Sequence, residues 1–111
     1  HYLNLLDLKV MRELRAHFDE SHSWCREASY FLTTYVIEVR AAKIYHVYER
    51  LLREYNFPFS LKLVLKEEAS HLREMESALQ KRVELLKITK DLLLWEEDLF
   101  SKLLISLKDS R

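Results

Sequence analysis

The chain has 111 residues, 49% apolar and 32% charged, with 18 basic residues balanced by 18 acidic ones and the two signs interleaved along its length. That length holds one compact domain or one half of a larger helical assembly, and not two independent cores. The balanced charge argues against nucleic acid or an anionic membrane as partner, and the absence of Gly with a single Pro leaves no turn chemistry for a multi-stranded sheet.

The expected class is therefore all-α: a single helical domain over 1–111, with helices near 2–19, 24–55, 60–88 and 90–108. In the first, Leu3, Leu6, Val10, Leu14 and Phe18 recur at steps of three and four. The segment "DESHS" at 19–23 breaks that pattern and offers Ser21 or Ser23 as the next N-cap.

The second helix carries the row Trp24, Ala28, Phe31, Tyr35, Glu38, Ala42, Tyr45, Glu49 and Leu52, in strict alternation of four and three. Pro58 disfavours helical geometry at Phe57, so a turn is expected there, with Ser60 capping the next helix. That helix repeats Leu61, Leu65, Glu68, Leu72, Met75, Leu79 and Val83, with His71 on the adjoining row. Leu85, Ile88, Leu92, Trp95, Leu99 and Leu103 extend the periodicity, with a kink expected around Thr89.

The longest uncharged run, Ala28 to Ile37, is about half of the roughly 20 residues that a membrane-spanning helix needs. The lone Cys25 cannot close an intramolecular disulfide, and no secretory signal is evident. A cytoplasmic location is the expectation, with Cys25 a small buried hydrophobe. The chain begins at His1 and not at Met, which is compatible with a piece of a longer protein.

Besides Glu49, two acids lie on apolar rows. Glu38 has Phe31, Thr34, Tyr35, Ala41, Ala42 and Tyr45 at its helical contact positions, and Glu68 has Leu61, Val64, Leu65, Leu72 and Met75. A carboxylate so placed should be protonated, paired or metal-bound, since an unpaired buried charge costs several kcal/mol. His71, three residues after Glu68, projects from the same helix face, about 5 to 6 Å away at Cβ. Carboxylate and imidazole can then reach a metal together.

A lone Glu on one helix followed by Glu-x-x-His on the next resembles the ferritin-like di-iron carboxylate superfamily. The resemblance spans roughly residues 24–83 and covers half of that family's ligand set. It implies an antiparallel helical bundle with Glu38, Glu68 and His71 as metal ligands and Glu68 as the bridging carboxylate. It further implies two irons, or iron with manganese, and O2- or peroxide-dependent oxidation: ferroxidase or substrate oxidase chemistry.

The other half of the site would come from a homo-oligomer or from a missing N-terminal half of the same protein. In the second case His1 is a candidate ligand, because Glu38 follows it by 37 positions. One geometric obstacle stands against Glu38. A turn centred at Phe57 puts Glu68 opposite residue 46 and His71 opposite residue 43, leaving Glu38 about 7 Å further along at 1.5 Å per residue, and makes Glu49 a competitor.

The alternative is a metal-free interaction domain that uses its apolar faces, Leu92, Leu93, Trp95, Leu99, Phe100 and Leu103 among them, to bind another helix. Tyr35, Tyr45 and Tyr48 are expected in packing roles, Glu67 and Glu74 in solvent, and Glu13 with His17 as a surface pair.

Overall fold

A computed structural model describes residues 1–109 as four helices: α1 (Tyr2–His17), α2 (His22–Glu54), α3 (Lys62–Gln80) and α4 (Val83–Asp109). Among the described residues there is no strand, and no helix is long and apolar enough to cross a membrane. Helix α2, at 33 residues, is about 50 Å long and nearly matches the longest dimension of the molecule, 53 Å. It packs against each of the other three helices.

Contacts fix the helix directions. The rings of Phe18 and Trp24 lie 5.2 Å apart where α1 passes into α2, while Tyr2, at the far end of α1, reaches the same Glu96 that holds Arg40. Helix α1 therefore runs opposite to α2 and α4. Tyr35 and Glu38 of α2 face Glu76 and His71 of α3, so α3 is reversed as well. The core formed between them takes Leu6, Val10 and Leu14 from α1, Leu32 and Val36 from α2, Met75 and Leu79 from α3, and Leu85, Ile88 and Leu92 from α4. Leu3, on the same row as Leu6, is half exposed.

Helix α2 starts where expected: Ser21 is the N-cap, and its hydroxyl accepts the Trp24 N–H at 3.1 Å. Its end differs from the expectation in mechanism. Asn56 takes a left-handed backbone (φ 55°), the Phe57 N–H bonds back to the Leu52 carbonyl, and the Asn56 N–H bonds to that of Arg53. This is a Schellman termination, with Asn supplying the left-handed residue usually filled by Gly. Pro58 follows the stop and does not cause it.

The chain then folds back. Ser60 already lies beside Glu49, donating its hydroxyl to that carboxylate, which also accepts the Leu61 N–H; the Ser60 hydroxyl in turn accepts the Lys62 N–H. The Ser60 hydrogen bond is the main reason the Glu49 carboxyl titrates below the usual range. Helix α3 is thus opposed to α2 about five residues deeper than a symmetric turn at Phe57 would give.

Helix α3 ends at Gln80 and α4 starts at Val83, so the break falls at Lys81–Arg82 and not near Thr89. Thr89 is buried within a continuous α4, its hydroxyl donating to the Leu85 carbonyl at 2.7 Å. Val83, which continues the spacing of the α3 row, is 70% exposed. The connection has neither Gly nor Pro, and the apolar period runs almost unbroken across it because both helices face one core.

A buried ion pair ties three helices together. Glu96, 3% exposed, accepts two hydrogen bonds from Arg40, at 2.8 and 2.7 Å, and a third from the Tyr2 hydroxyl at 2.6 Å. Arg40 also reaches Glu97, which Lys43 contacts as well, and stacks over Phe100 with its guanidinium carbon 3.9 Å from the ring centre. The bond to Glu96 holds the guanidinium proton more firmly still, and burial beside the same carboxylate pushes the Tyr2 phenol upward.

Removing one partner of such a pair strands the other in a dry setting. Glu96→Ala should lower stability by about 3 kcal/mol in urea denaturation, and the double variant Arg40→Met/Glu96→Leu should recover most of that loss. At the hairpin, Asn56→Val should cost about 1 to 2 kcal/mol through its β-branched side chain, whereas Asn56→Gly should be neutral or stabilising in the same assay.

Candidate metal centre

The hairpin register brings Glu38, Glu68 and His71 together. Each offers one ligand atom, and the three atoms lie within 4.8 Å of one another. The His71 Nδ1 is 4.0 Å from a Glu38 carboxylate oxygen. Glu38 projects from α2 one turn beyond Tyr35, where the closed core gives way to the α2–α3 hairpin, and Glu68 and His71 project from successive turns of α3. The Glu38 side chain is 22% exposed and that of His71 is 51% exposed, so the cluster is closed on its protein side and open at the imidazole.

Glu49, the competing candidate, is engaged by Ser60, the Leu61 N–H and Arg53, and takes no part in the cluster. His46 and His1 are exposed and are likewise not members of it. The 7 Å obstacle disappears because the Schellman stop sets the register. The same offset that places Ser60 opposite Glu49 places His71 opposite Glu38.

The electrostatics of the cluster are unbalanced. Among the described residues, neither carboxylate has a Lys or Arg as an ion-pair partner, and His71 is the one basic group beside them. One oxygen of Glu68, Oε2, is buried with no hydrogen-bond partner. Proximity to the Glu38 carboxylate, which favours a shared proton, raises the Glu68 carboxyl above its ordinary value, and burial adds to the effect while His71 opposes it. Two carboxylates that cannot both ionise without repulsion, one of them with a buried oxygen, and an adjacent imidazole form an O,O,N donor set whose negative charge a divalent cation would offset.

Glu13 bonds Lys9 at 2.8 Å and pairs with His17 at 3.5 Å, as a surface group, and Glu67 and Glu74 are exposed. Tyr35 is buried, with its hydroxyl 3.4 Å from Glu76, while Tyr48 is 55% exposed. Cys25 is a buried free thiol. Glu96 carries the same sequence signal as Glu38 and Glu68: it lies four residues after Leu92 and three before Leu99, on an apolar row.

The sequence matches no known family model, and no curated protein or solved structure shows significant similarity to it.

A raised carboxyl fixes the sign of a pH effect. As pH climbs above the ordinary value of 4.5, the unfolded chain ionises Glu68 first, and the folded state loses stability until its own carboxyl ionises too. In metal-free protein, Glu68→Gln should be at least as stable as the wild type at neutral pH, and that advantage should vanish below the ordinary carboxylate range. Thermal denaturation in EDTA across pH 3.5 to 7.5 measures the difference.

Proposed function

We propose that the chain is a helical-bundle metal protein in which Glu38, Glu68 and His71 hold a divalent transition metal. With further carboxylates or water completing the shell, it would act as a ferritin-like di-metal carboxylate protein using iron, or iron with manganese, for O2- or peroxide-dependent oxidation. The observation that carries the reading is the convergence of the three ligand atoms within 4.8 Å, with no Lys or Arg in an ion pair with either acid among the described residues.

The donor set fits. Carboxylates and a neutral imidazole suit Fe(II) and Mn(II), and two carboxylates cancel a charge of 2+. When bound, iron would supply the activation of O2 or peroxide. The chain's own contribution is to pre-arrange the acids on two helices locked in register, to bury one flank against the core, and to leave the flank at His71 open for the remaining ligands. Exposed apolar side chains on α2 and α4, such as Tyr48, Leu51, Leu104 and Ile105, favour a second reading, in which the chain is a metal-free helical interaction domain.

Metal content decides between them. Untagged protein, loaded anaerobically with Fe(II) or Mn(II) and desalted, should retain metal by elemental analysis. Glu68→Ala and His71→Ala should each weaken retention at least tenfold while keeping the helical circular dichroism of the wild type. A wild-type protein that retains no metal under these conditions removes the metal reading and leaves the interaction domain.

A further inference from the structure

Helix α2 carries a second row, about a quarter turn away from the one that faces α3. It runs from Tyr30 to Tyr55, the C-cap, in the same alternation of four and three, and no charged residue interrupts it in a chain that is 32% charged. Its two ends are uncovered, with Tyr30 77% exposed, Tyr48 55%, Leu51 40% and Tyr55 71%, while Thr34, Ile37, Ala41 and Ile44 between them are half-buried. At Ile44 the row opens into an apolar groove of about 300 Å³ formed with Phe100, Leu103 and Leu104 of α4.

The amount of exposed surface is out of proportion to the mass. The chain exposes 8251 Å² at 13.5 kDa, against about 6,500 Å² for a compact monomer of that size. The excess, about 1,700 Å² over the whole elongated molecule, is of the size one subunit contributes to a large obligate dimer interface.

We propose that this row is an interface between two copies of the chain, packed antiparallel about a two-fold axis that crosses α2 between Lys43 and Ala42. An isologous contact requires a patch complementary to itself, and the row has that property. Reversed about this point, its spacing maps onto itself. Ala41 then meets Ile44, Thr34 meets Leu51, Ile37 meets Tyr48, and Tyr30 meets Tyr55. In the inner three pairs a smaller side chain faces a larger one, as interdigitation at native density requires. Parallel pairing would set Ala41 on Ala41 and Tyr48 on Tyr48, alternating gaps with clashes.

The test is independent of the metal reading, because it is run on metal-free full chain in EDTA. Sedimentation velocity at about 100 µM should give a species of twice 13.5 kDa. The double variant Tyr30→Glu/Tyr48→Glu, which alters side chains exposed in the monomer, should keep its helical spectrum and dimerise at least about thirtyfold more weakly. In a Cys25→Ala background, Thr34→Cys with Leu51→Cys should give a disulfide-linked dimer on mild oxidation, while Thr34→Cys alone should not, since bridging needs Cα atoms within about 7 Å. A monomeric wild type overturns the proposal, whatever else then binds the face. A dimer indifferent to the Glu substitutions overturns it too, as does cross-linking through Thr34→Cys alone.

Discussion

The geometry of the candidate site depends on how α2 stops. A left-handed Asn56 closes the helix with two backward hydrogen bonds, and the returning connection is pinned by Ser60 and Leu61 to the Glu49 carboxylate. Those few contacts set the sliding position of α3 along α2. One register step is worth about 1.5 Å, so a symmetric turn at Phe57 would have carried Glu68 and His71 about 7 Å from Glu38 and left three scattered polar groups. Glu49 serves the centre without belonging to it.

The molecule contains two solutions to one electrostatic problem. Glu96 is buried and satisfied, with three charge-assisted or phenolic hydrogen bonds and an arginine stacked on Phe100 beside it. Glu38 and Glu68 are set against each other, with a buried oxygen unpaired and only an imidazole at hand. The first arrangement is complete in protein alone and joins α1, α2 and α4. The second is short of positive charge. That contrast, more than the Glu-x-x-His spacing, separates a structural acid from a candidate ligand.

Much of this was legible in the sequence because helical periodicity reports which face meets the core. The rows through Leu6, Val10 and Leu14, and through Leu85, Ile88 and Leu92, lie where their spacing placed them. The break at Lys81–Arg82 was not legible: no Gly or Pro marks it, and a period of 3.6 continues across a tight turn when both arms face the same interior. The Schellman stop was hidden for a related reason, since Asn is only an occasional occupant of the left-handed position and Pro58, two residues on, is the louder signal. Convergence of Glu38 with Glu68 and His71 depended on that hidden stop. The Arg40–Glu96 pair joins residues 56 positions apart, and an apolar row containing a Glu does not say which cation will meet it.

The length of α2 has one more consequence. Its first half is wrapped by three helices and carries Leu32 and Val36 at 0% exposure, whereas beyond Arg40 it is flanked mainly by the start of α3 and the end of α4, with no fully buried side chain. Local unfolding free energy follows such burial, so amide protection should fall along a single unbroken helix from the end near Trp24 towards Glu54. Glu38 and His71 straddle the crossover between the rigid and the breathing part. A cation held there would act as a clasp, extending the protected segment of α2 towards the hairpin by mass action with no change in the fold itself.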